Sequence, residues 1–184
     1  MIYFVRHGQS IWNKENRIQG HSHCPLSELG ISQAENVSVE ISKFPIKYFY
    51  SSDLLRARQT AEIIKDKAGI NLEIVFDSRL REYNTGPAYQ GKMLDERPKD
   101  YHQYPKKYDG ESSRDVFVRA KNFMNEVRAK GLDDVLVVAH GGLIAMVQYI
   151  LDNPNITARQ IPTDISLSWY KEPPNCGIVK LNKF

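Results

Sequence analysis

The sequence has few of the features that mark secreted or membrane-bound proteins. Its two cysteines, Cys24 and Cys176, are far apart in 184 residues, which favours free thiols over a disulfide framework. No long apolar run is present, and the first strand pattern begins at residue 2. We therefore expect a cytoplasmic protein with no signal peptide, no membrane span and no anchor.

A strong charge of either sign is also missing. The net charge is +3, and no basic block or RNA-binding motif accompanies it, so a nucleic-acid partner is not expected. A small positive balance suits a small anionic substrate. With 41% hydrophobic and 26% charged residues, the chain has the composition of an ordinary globular protein. Its length predicts a single domain over residues 1–184.

Strand and helix patterns alternate along the chain, which predicts an α/β fold with a mostly parallel central sheet and helices on both faces. The predicted strands are 2–5, 46–50, 72–76 and 135–139, and the predicted helices begin near 27, 54, 112 and 142. Ser51-Ser52-Asp53 is expected to cap the second helix, and Ser112-x-x-Asp115 resembles a capping box before the third. Residues 167–170 and 178–181 are predicted to form a two-stranded edge. Residues 83–110 show no clear period, and so long a loop is typical of a lid or substrate loop.

Two of the predicted strands end in a histidine followed by glycine. Ile2-Tyr3-Phe4-Val5 runs into Arg6-His7-Gly8, and the strand at 135–139 runs into His140-Gly141-Gly142. Ligands of open α/β proteins lie at the carboxyl ends of the strands. We therefore expect the imidazoles of His7 and His140 to meet in one pocket.

These residue types suit a phosphate monoester. Arginine presents paired donors that match phosphate oxygens, and Arg6 lies beside His7. Gly141 lets the backbone approach an anion and begins a helix, whose first amides favour negative charge. Phosphoryl transfer requires positioning and positive charge, and a neutral histidine nitrogen is a competent nucleophile.

The same residues carry a family resemblance. Several blocks occur in order between residue 1 and about residue 145, and together they resemble the histidine phosphatase superfamily, specifically its phosphoglycerate mutase-like branch. The blocks are Arg6-His7-Gly8-Gln9-Ser10, Trp12-Asn13, Arg17-x-Gln19-Gly20, Pro25-Leu26-Ser27, Ser51-Ser52-Asp53-Leu54-x-Arg56-Ala57, Leu80-Arg81-Glu82, Gly110-Glu111-Ser112 and Ala139-His140-Gly141-Gly142.

The resemblance implies a phosphoglycerate mutase-like three-layer fold and a role for each matching residue. His7 would be the nucleophile that becomes phosphorylated. Glu82 would protonate the leaving oxygen and then activate water, a type of catalysis that contributes roughly 10²–10⁴-fold. The groups expected to bind the phosphoryl group are Arg6, Arg56, His140 and Asn13. No metal or organic cofactor is implied, because the arginines would supply the charge.

Three points stay open at this level. Helix geometry alone does not choose between Arg56 and Arg58, since both flank the apolar stripe, and it is the family pattern that selects Arg56. The run His21-Ser22-His23-Cys24 contains zinc-ligand types, but no second pair with suitable spacing accompanies it. The loop side chains Tyr101, His102, Tyr104, Lys106, Lys107 and Tyr108 would either line a substrate lid or be solvated.

The chain departs from the family pattern after the glutamate. A Gly-x-Trp-Glu-Gly-like segment is replaced by residues 86–91, Gly-Pro-Ala-Tyr-Gln-Gly. Glycolytic mutases of the family tend to carry Arg-His-Tyr around this glutamate and a longer insertion before the last histidine. This chain has Arg-Glu-Tyr-Asn at 81–84 and a short insertion, and both differences favour a phosphatase over a mutase. We therefore predict a phosphatase acting on a small phosphorylated metabolite, as a monomer or homodimer. The alternatives are a phosphoglycerate mutase and a non-catalytic phospholigand-binding module.

Overall fold

A computed structural model describes residues 1–96, 100, 105–162 and 172–182, and within them five strands form one sheet. The strands are β1 (Ile2–Arg6), β2 (Tyr48–Ser51), β3 (Ile74–Phe76), β4 (Val135–Ala139) and β5 (Ile178–Leu181). The helices are α1 (Ile11–Lys14), α2 (Glu28–Ile41), α3 (Leu55–Lys67), α4 (Ser113–Ala129) and α5 (Gly141–Asp152). Short 3-10 turns occupy Ser78–Leu80, Leu94–Glu96, Pro105–Tyr108 and Ala158–Gln160.

The sheet has the order β3-β2-β4-β1-β5. All neighbouring strands run parallel except β5, which is antiparallel to β1. The central strand β4 is buried along its whole length, and its Val-Leu-Val-Val-Ala sequence is the continuous apolar run of a parallel strand covered on both faces. The ends of β2, β4 and β1 therefore lie side by side at one edge of the sheet.

Each face of the sheet carries its own apolar core. Alternate residues of β1 point to opposite faces, so Ile2 and Phe4 pack with α4 and α5, whereas Tyr3 and Val5 pack with α2 and α3. The resulting three layers of helix, sheet and helix confirm the predicted α/β fold.

Helix α4 shows how the local sequence specifies an element. Ser112 is its N-cap and accepts a hydrogen bond from the backbone N–H of Asp115, whose carboxylate accepts one from the N–H of Ser112. Such a cap stabilises a helix by about 1 kcal/mol. Val116, Ala120 and Phe123 then face the core at helical spacing. The predicted capping box is confirmed.

Three local predictions differ from the structure, namely the starts of β2 and β3 and the cap of α3. The strands β2 and β3 each begin two residues later than predicted. Residues 46 and 47 lead into β2 without strand pairing, and Lys47 is held there by hydrogen bonds to Asp134. The predicted cap of α3 by 51–53 is wrong, because the N-cap is Leu54 without a side-chain hydrogen bond. At the chain end, β5 pairs with β1, and residues 167–170 lie outside the described part.

Within the predicted loop at 83–110, the described residues 83–96 pack over the residues that follow β1. Gly91 lies against the ring of Trp12, and an isolated bridge joins Arg17 to Met93. Of the loop side chains that would either line a lid or be solvated, Tyr101, His102 and Tyr104 lie outside the described residues. No helix in the described part of the chain has the length and apolar character that a membrane crossing needs.

Candidate active site

The two histidines predicted from the strand ends lie together. The imidazoles of His7 and His140 have their ring centroids 5.0 Å apart, and both side chains are buried. The sheet brings them together: the N–H of His7 donates to the carbonyl of Ala139 at the end of β4 (2.9 Å), which pairs directly with β1.

The hydrogen bond at Nδ1 of His7 determines which ring nitrogen is available. Nδ1 lies 2.7 Å from the carbonyl oxygen of Gly8, and since a carbonyl only accepts, Nδ1 carries the hydrogen. Nε2 is therefore the unprotonated nitrogen of the neutral ring, and Nε of Arg56 donates to it at 3.3 Å. Burial, together with the positive charge of Arg56, lowers the pKa of His7 well below its ordinary value. The ring is thus neutral at neutral pH, with a lone pair at Nε2.

Arg56 is the deepest charged side chain of the site. It is 1% exposed, and its Nη1 and Nη2 donate to the carbonyls of Ser22 and Gly20, both at 3.0 Å. Burial lowers its pKa to about 10, so it remains a cation at neutral pH. Arg58, the other arginine of this helix stretch, lies at the surface over the ring of Phe76. The structure thus brings Arg56 to the histidines and leaves Arg58 outside.

His140 lies at the N-terminus of α5. Its Nε2 is 2.8 Å from the hydroxyl of Ser52, which follows β2, and the same hydroxyl accepts from the N–H of Leu54 at 3.3 Å. Burial, followed by the charge of Arg56, lowers the pKa of His140 well below its ordinary value. Its Nδ1 is buried, with no hydrogen-bond partner among the described residues. We call His7, Arg56 and His140 the strand-end cluster.

Arg6 extends the positive charge toward the pocket opening. Its Nη1 donates to the carbonyl of Pro173 at 2.9 Å and lies 3.2 Å from Oε2 of Glu172. Its Nε is buried, with no partner in the described part of the chain. No sequence motif predicts Glu172 here, since its position depends on how the C-terminal segment returns to the sheet.

Two carboxylates lie against the first turn of α5. The N–H of Gly142 donates to Oε2 of Glu82 at 3.1 Å, and the N–H of Tyr83 donates to Oε1 of Glu82 at 2.9 Å. Glu172 packs on Gly141 in the same way, and a Cβ at either glycine would collide with the neighbouring carboxylate. The Gly-Gly pair thus makes room for two acidic side chains, which we call the carboxylate pair (Glu82 and Glu172).

The backbone around Glu82 is held by a guanidinium that the sequence analysis missed. Arg119 on α4 donates to the carbonyls of Arg79 (2.8 Å), Arg81 and Glu82 (2.9 Å), and it pairs with the carboxylate of Glu111. Glu111 in turn accepts from the N–H of Asn84 at 2.9 Å. No local spacing signals this role, because the contacts depend on how α4 docks against the segment 79–82.

Glu111 also lies 3.6 Å from Nε2 of His21, which belongs to the run of zinc-ligand residue types at 21–24. Although burial raises the pKa of Glu111, hydrogen bonds from His21 and Arg119 lower it to about 2. Nε2 of His21 also lies 2.7 Å from the carbonyl of Glu82. Cys24 instead accepts from the N–H of Trp12. In the part of the chain that is described, no three His, Cys, Asp or Glu side chains group as metal ligands.

Asn13 and the loop lysines are engaged in local contacts. The carboxamide oxygen of Asn13 accepts from the N–H of Ser10 at 3.1 Å, which closes the cap of α1. Its proposed contact with phosphate therefore stays a prediction. Lys106 pairs with Asp115 and Lys107 with Asp100, so neither ammonium reaches the strand-end cluster as a free cation.

Comparison with known proteins identifies this arrangement. The sequence profile of the histidine phosphatase superfamily (branch 1) matches residues 2–176. The chain belongs to this superfamily. The predicted resemblance is therefore confirmed.

One group of relatives carries the name of a mutase. Over 99 residues the chain is 46% identical to a protein of Yersinia pestis named "Probable phosphoglycerate mutase GpmB". That match covers 54% of this chain and 42% of the relative, so the chain aligns with less than half of the relative's length.

Solved structures match over nearly the whole chain. The YhfR protein of Bacillus stearothermophilus has a TM-score of 0.80 at 28% identity, covering 98% of this chain and 91% of that chain. A mycobacterial glucosyl-3-phosphoglycerate phosphatase in complex with VO3 has a TM-score of 0.77 at 28% identity, covering 96% of this chain and 90% of that one. A phosphoglycerate mutase from Bacillus anthracis has a TM-score of 0.73 at 26% identity, covering 85% of this chain and 81% of that one. Proteins named as phosphatases and as mutases thus share this fold.

Proposed function

We propose that this protein is a phosphatase that hydrolyses a small phosphomonoester through a phosphohistidine on His7. The observation that carries the proposal is the hydrogen bond from Nδ1 of His7 to Gly8, which leaves Nε2 unprotonated beside Arg56. A neutral ring nitrogen is a competent nucleophile, and the arginines supply the positive charge that phosphoryl transfer needs. The proposal accordingly assigns no step to a metal or an organic cofactor.

The reaction proceeds in two steps. In the first, Nε2 of His7 forms a bond to phosphorus as the bond to the leaving oxygen breaks, and the carboxyl group of Glu82 gives its proton to that oxygen. In the second, the Glu82 carboxylate takes a proton from water, the water oxygen bonds to phosphorus, and the N–P bond breaks to release phosphate. Each proton and bonding pair is accounted for by His7, Glu82, the ester and water.

Four groups would hold the phosphoryl oxygens during both steps. Arg6 and Arg56 offer guanidinium donors, and Gly141 offers the start of α5. If the hydroxyl of Ser52 donates to Nε2 of His140, the Nδ1–H of His140 is free to bind a phosphoryl oxygen. These donors are fixed before the substrate arrives, which is what electrostatic stabilisation of a transition state requires.

A phosphoglycerate mutase is the second candidate, because the Yersinia pestis relative carries that name. A mutase has to retain and reorient a bisphosphorylated intermediate, whereas a phosphatase only needs water to reach the phosphohistidine. The run 81–84 and the short insertion after it support the phosphatase. We extend the proposal to a single domain over 1–184, in which 83–110 covers the site as a substrate loop and the free thiols fit the cytoplasm.

Phosphate release distinguishes the candidates. The purified protein is incubated with a panel of sugar phosphates, phosphoglycerates, nucleotides and phosphopeptides, with a His7→Ala variant as the control. We expect inorganic phosphate from at least one ester and none above background from the variant. Interconversion of the monophosphoglycerates without net phosphate would establish the mutase. Tight ester binding without any turnover would instead indicate a phospholigand-binding module.

A further inference from the structure

Glu172 is an acidic side chain inside a site that otherwise collects positive charge. Its Oε2 lies 3.2 Å from Nη1 of Arg6, and the carboxylate rests on the backbone of Gly141 at the N-terminus of α5. The side chain is 51% exposed, so it lies at the solvent-facing edge of the site and not in the core. Glu172 belongs to none of the sequence motifs and has no part in the proposed reaction.

The position of Glu82 indicates which part of a substrate Glu172 faces. In-line attack by Nε2 of His7 puts the leaving oxygen on the far side of phosphorus, and the group that protonates this oxygen must reach it. The rest of the leaving group therefore lies on the Glu82 side. Glu172 packs on Gly141 and Glu82 on Gly142, so the two carboxylates occupy neighbouring places on the same helix end.

The two carboxylates are close enough to affect each other. Partial burial, followed by the negative charge of Glu82, raises the pKa of Glu172, and Arg6 counteracts part of this rise. A leaving group that brought a third carboxylate to this place would meet like charge, whereas hydroxyl groups would find acceptors.

We propose that Glu172 is a specificity-determining residue, which disfavours esters with a carboxylate on the leaving group and favours uncharged, hydroxyl-bearing leaving groups such as polyols and sugars. This inference rests on the proposed function for the direction in which the leaving group lies. It deepens that function by excluding phosphoglycerates as preferred substrates. Discrimination arises here from a repulsive element that acts against the wrong substrate.

A matched pair of ligands tests the charge alone. Glycerol 3-phosphate and 3-phosphoglycerate differ at one end, where the first has a hydroxymethyl group and the second a carboxylate. Their phosphonate analogues, with a methylene in place of the ester oxygen, cannot be hydrolysed. Calorimetry at pH 8 measures the Kd of both analogues for the native protein, for Glu172→Gln and for the control Glu62→Gln, an exposed residue of α3.

We expect the native protein to bind the glycerol analogue more tightly, and Glu172→Gln to shift the ratio of the two Kd values by about 10- to 100-fold toward the carboxylate ligand. The Glu62→Gln control should leave the ratio unchanged. An unchanged ratio in Glu172→Gln would overturn the inference, and so would an equal gain for both ligands, which would mean that Glu172 merely competes with phosphate for Arg6. Failure of both analogues to bind the native protein would overturn it too.

The kcat/KM ratio of the two esters provides the separate check on the proposed function. A shifted Kd ratio without phosphate release would support the role of Glu172 and contradict the phosphatase. Phosphate release with an unshifted Kd ratio would contradict the role of Glu172 alone.

Discussion

In the strand-end cluster, His7, Arg56 and His140 are 3%, 1% and 0% exposed, whereas Glu172 in the carboxylate pair has half of its side chain in solvent. The cluster is held by backbone carbonyls and by strand ends that the sheet brings together. The carboxylate pair is held by a helix end, by ion pairs and by residues far apart in sequence. Under the proposed function, the strand-end cluster binds and transfers the phosphoryl group. The carboxylate pair acts on the leaving group, Glu82 by protonating it and Glu172 by selecting it.

Glu82→Gln, in the carboxylate pair, should produce the largest loss of activity, and this loss should depend on the leaving group. Because the amide cannot donate a proton as an acid does, we expect the kcat for an alkyl phosphate to fall by about 10²–10⁴-fold. A p-nitrophenyl ester, whose leaving group needs no proton, should lose far less. Steady-state kinetics with both esters measures this contrast. An equal loss for the two esters would mean that Glu82 does not act on the leaving oxygen.

Arg56→Ala should lower the rate regardless of the leaving group. Removing one fixed donor to the developing charge costs about 10²–10³ in kcat, and this loss should be similar for alkyl and p-nitrophenyl phosphates. Arg58→Ala is the matched control, because Arg58 lies on the same helix but at the surface. Thermal unfolding of both variants checks that the loss of the carbonyl contacts to Ser22 and Gly20 has not unfolded the protein. A near-normal rate in a folded Arg56→Ala protein would remove Arg56 from the site.

Arg119→Lys keeps the positive charge of the side chain but should weaken its hold on the backbone that carries Glu82. One ammonium cannot serve the carbonyls of Arg79, Arg81 and Glu82 together, so the backbone that carries Glu82 loses its support. We expect about a 10-fold loss of kcat for alkyl phosphates, on the scale of positioned acid catalysis, and little loss for p-nitrophenyl phosphate. Arg114→Lys on the same helix is the control, because Arg114 bonds to Ile161 instead. Equal losses for both esters would indicate a general structural role.

Acid unfolding should report on Glu111, which lies beside the carboxylate pair, and on the histidines of the strand-end cluster in different ranges of pH. The folded pKa of Glu111, about 2, lies below its ordinary value of 4.5, so its contribution to stability is present above pH 4.5 and is lost as the pH falls toward 2. The buried His7 and His140 have folded pKa values well below their ordinary value of 6.5. Below pH 6.5 the unfolded chain therefore binds protons that the folded protein does not, and the free energy of unfolding decreases as the pH falls.

Urea unfolding of Glu111→Gln across this range gives the contribution of that carboxylate. At pH 7 we expect a loss of about 1–3 kcal/mol in the free energy of unfolding, which shrinks as the pH approaches 3. The exposed Glu62→Gln variant should show no such trend. A loss in Glu111→Gln that is constant with pH would contradict the charged contact with Arg119.

The difference between the strand-end cluster and the carboxylate pair also explains what the sequence could reveal. His7 and His140 follow apolar runs, and parallel strands end at one edge, so their meeting was predictable from local pattern. Arg56 needed the family pattern, because a helix alone does not say which of its sides faces a site. Glu172 and Arg119 were missed because their contacts depend on how the C-terminal segment and α4 dock, which no local spacing encodes.

The central claim is a covalent phosphohistidine at His7, and trapping it is the most direct test. A ³²P-labelled ester is mixed with the protein and quenched within milliseconds, and the labelled peptide is then mapped. We predict an acid-labile, alkali-stable adduct on the peptide that contains His7, present in the native protein and absent in His7→Ala. An adduct that persists in His7→Ala, or phosphate release with no adduct at any time, would contradict the account.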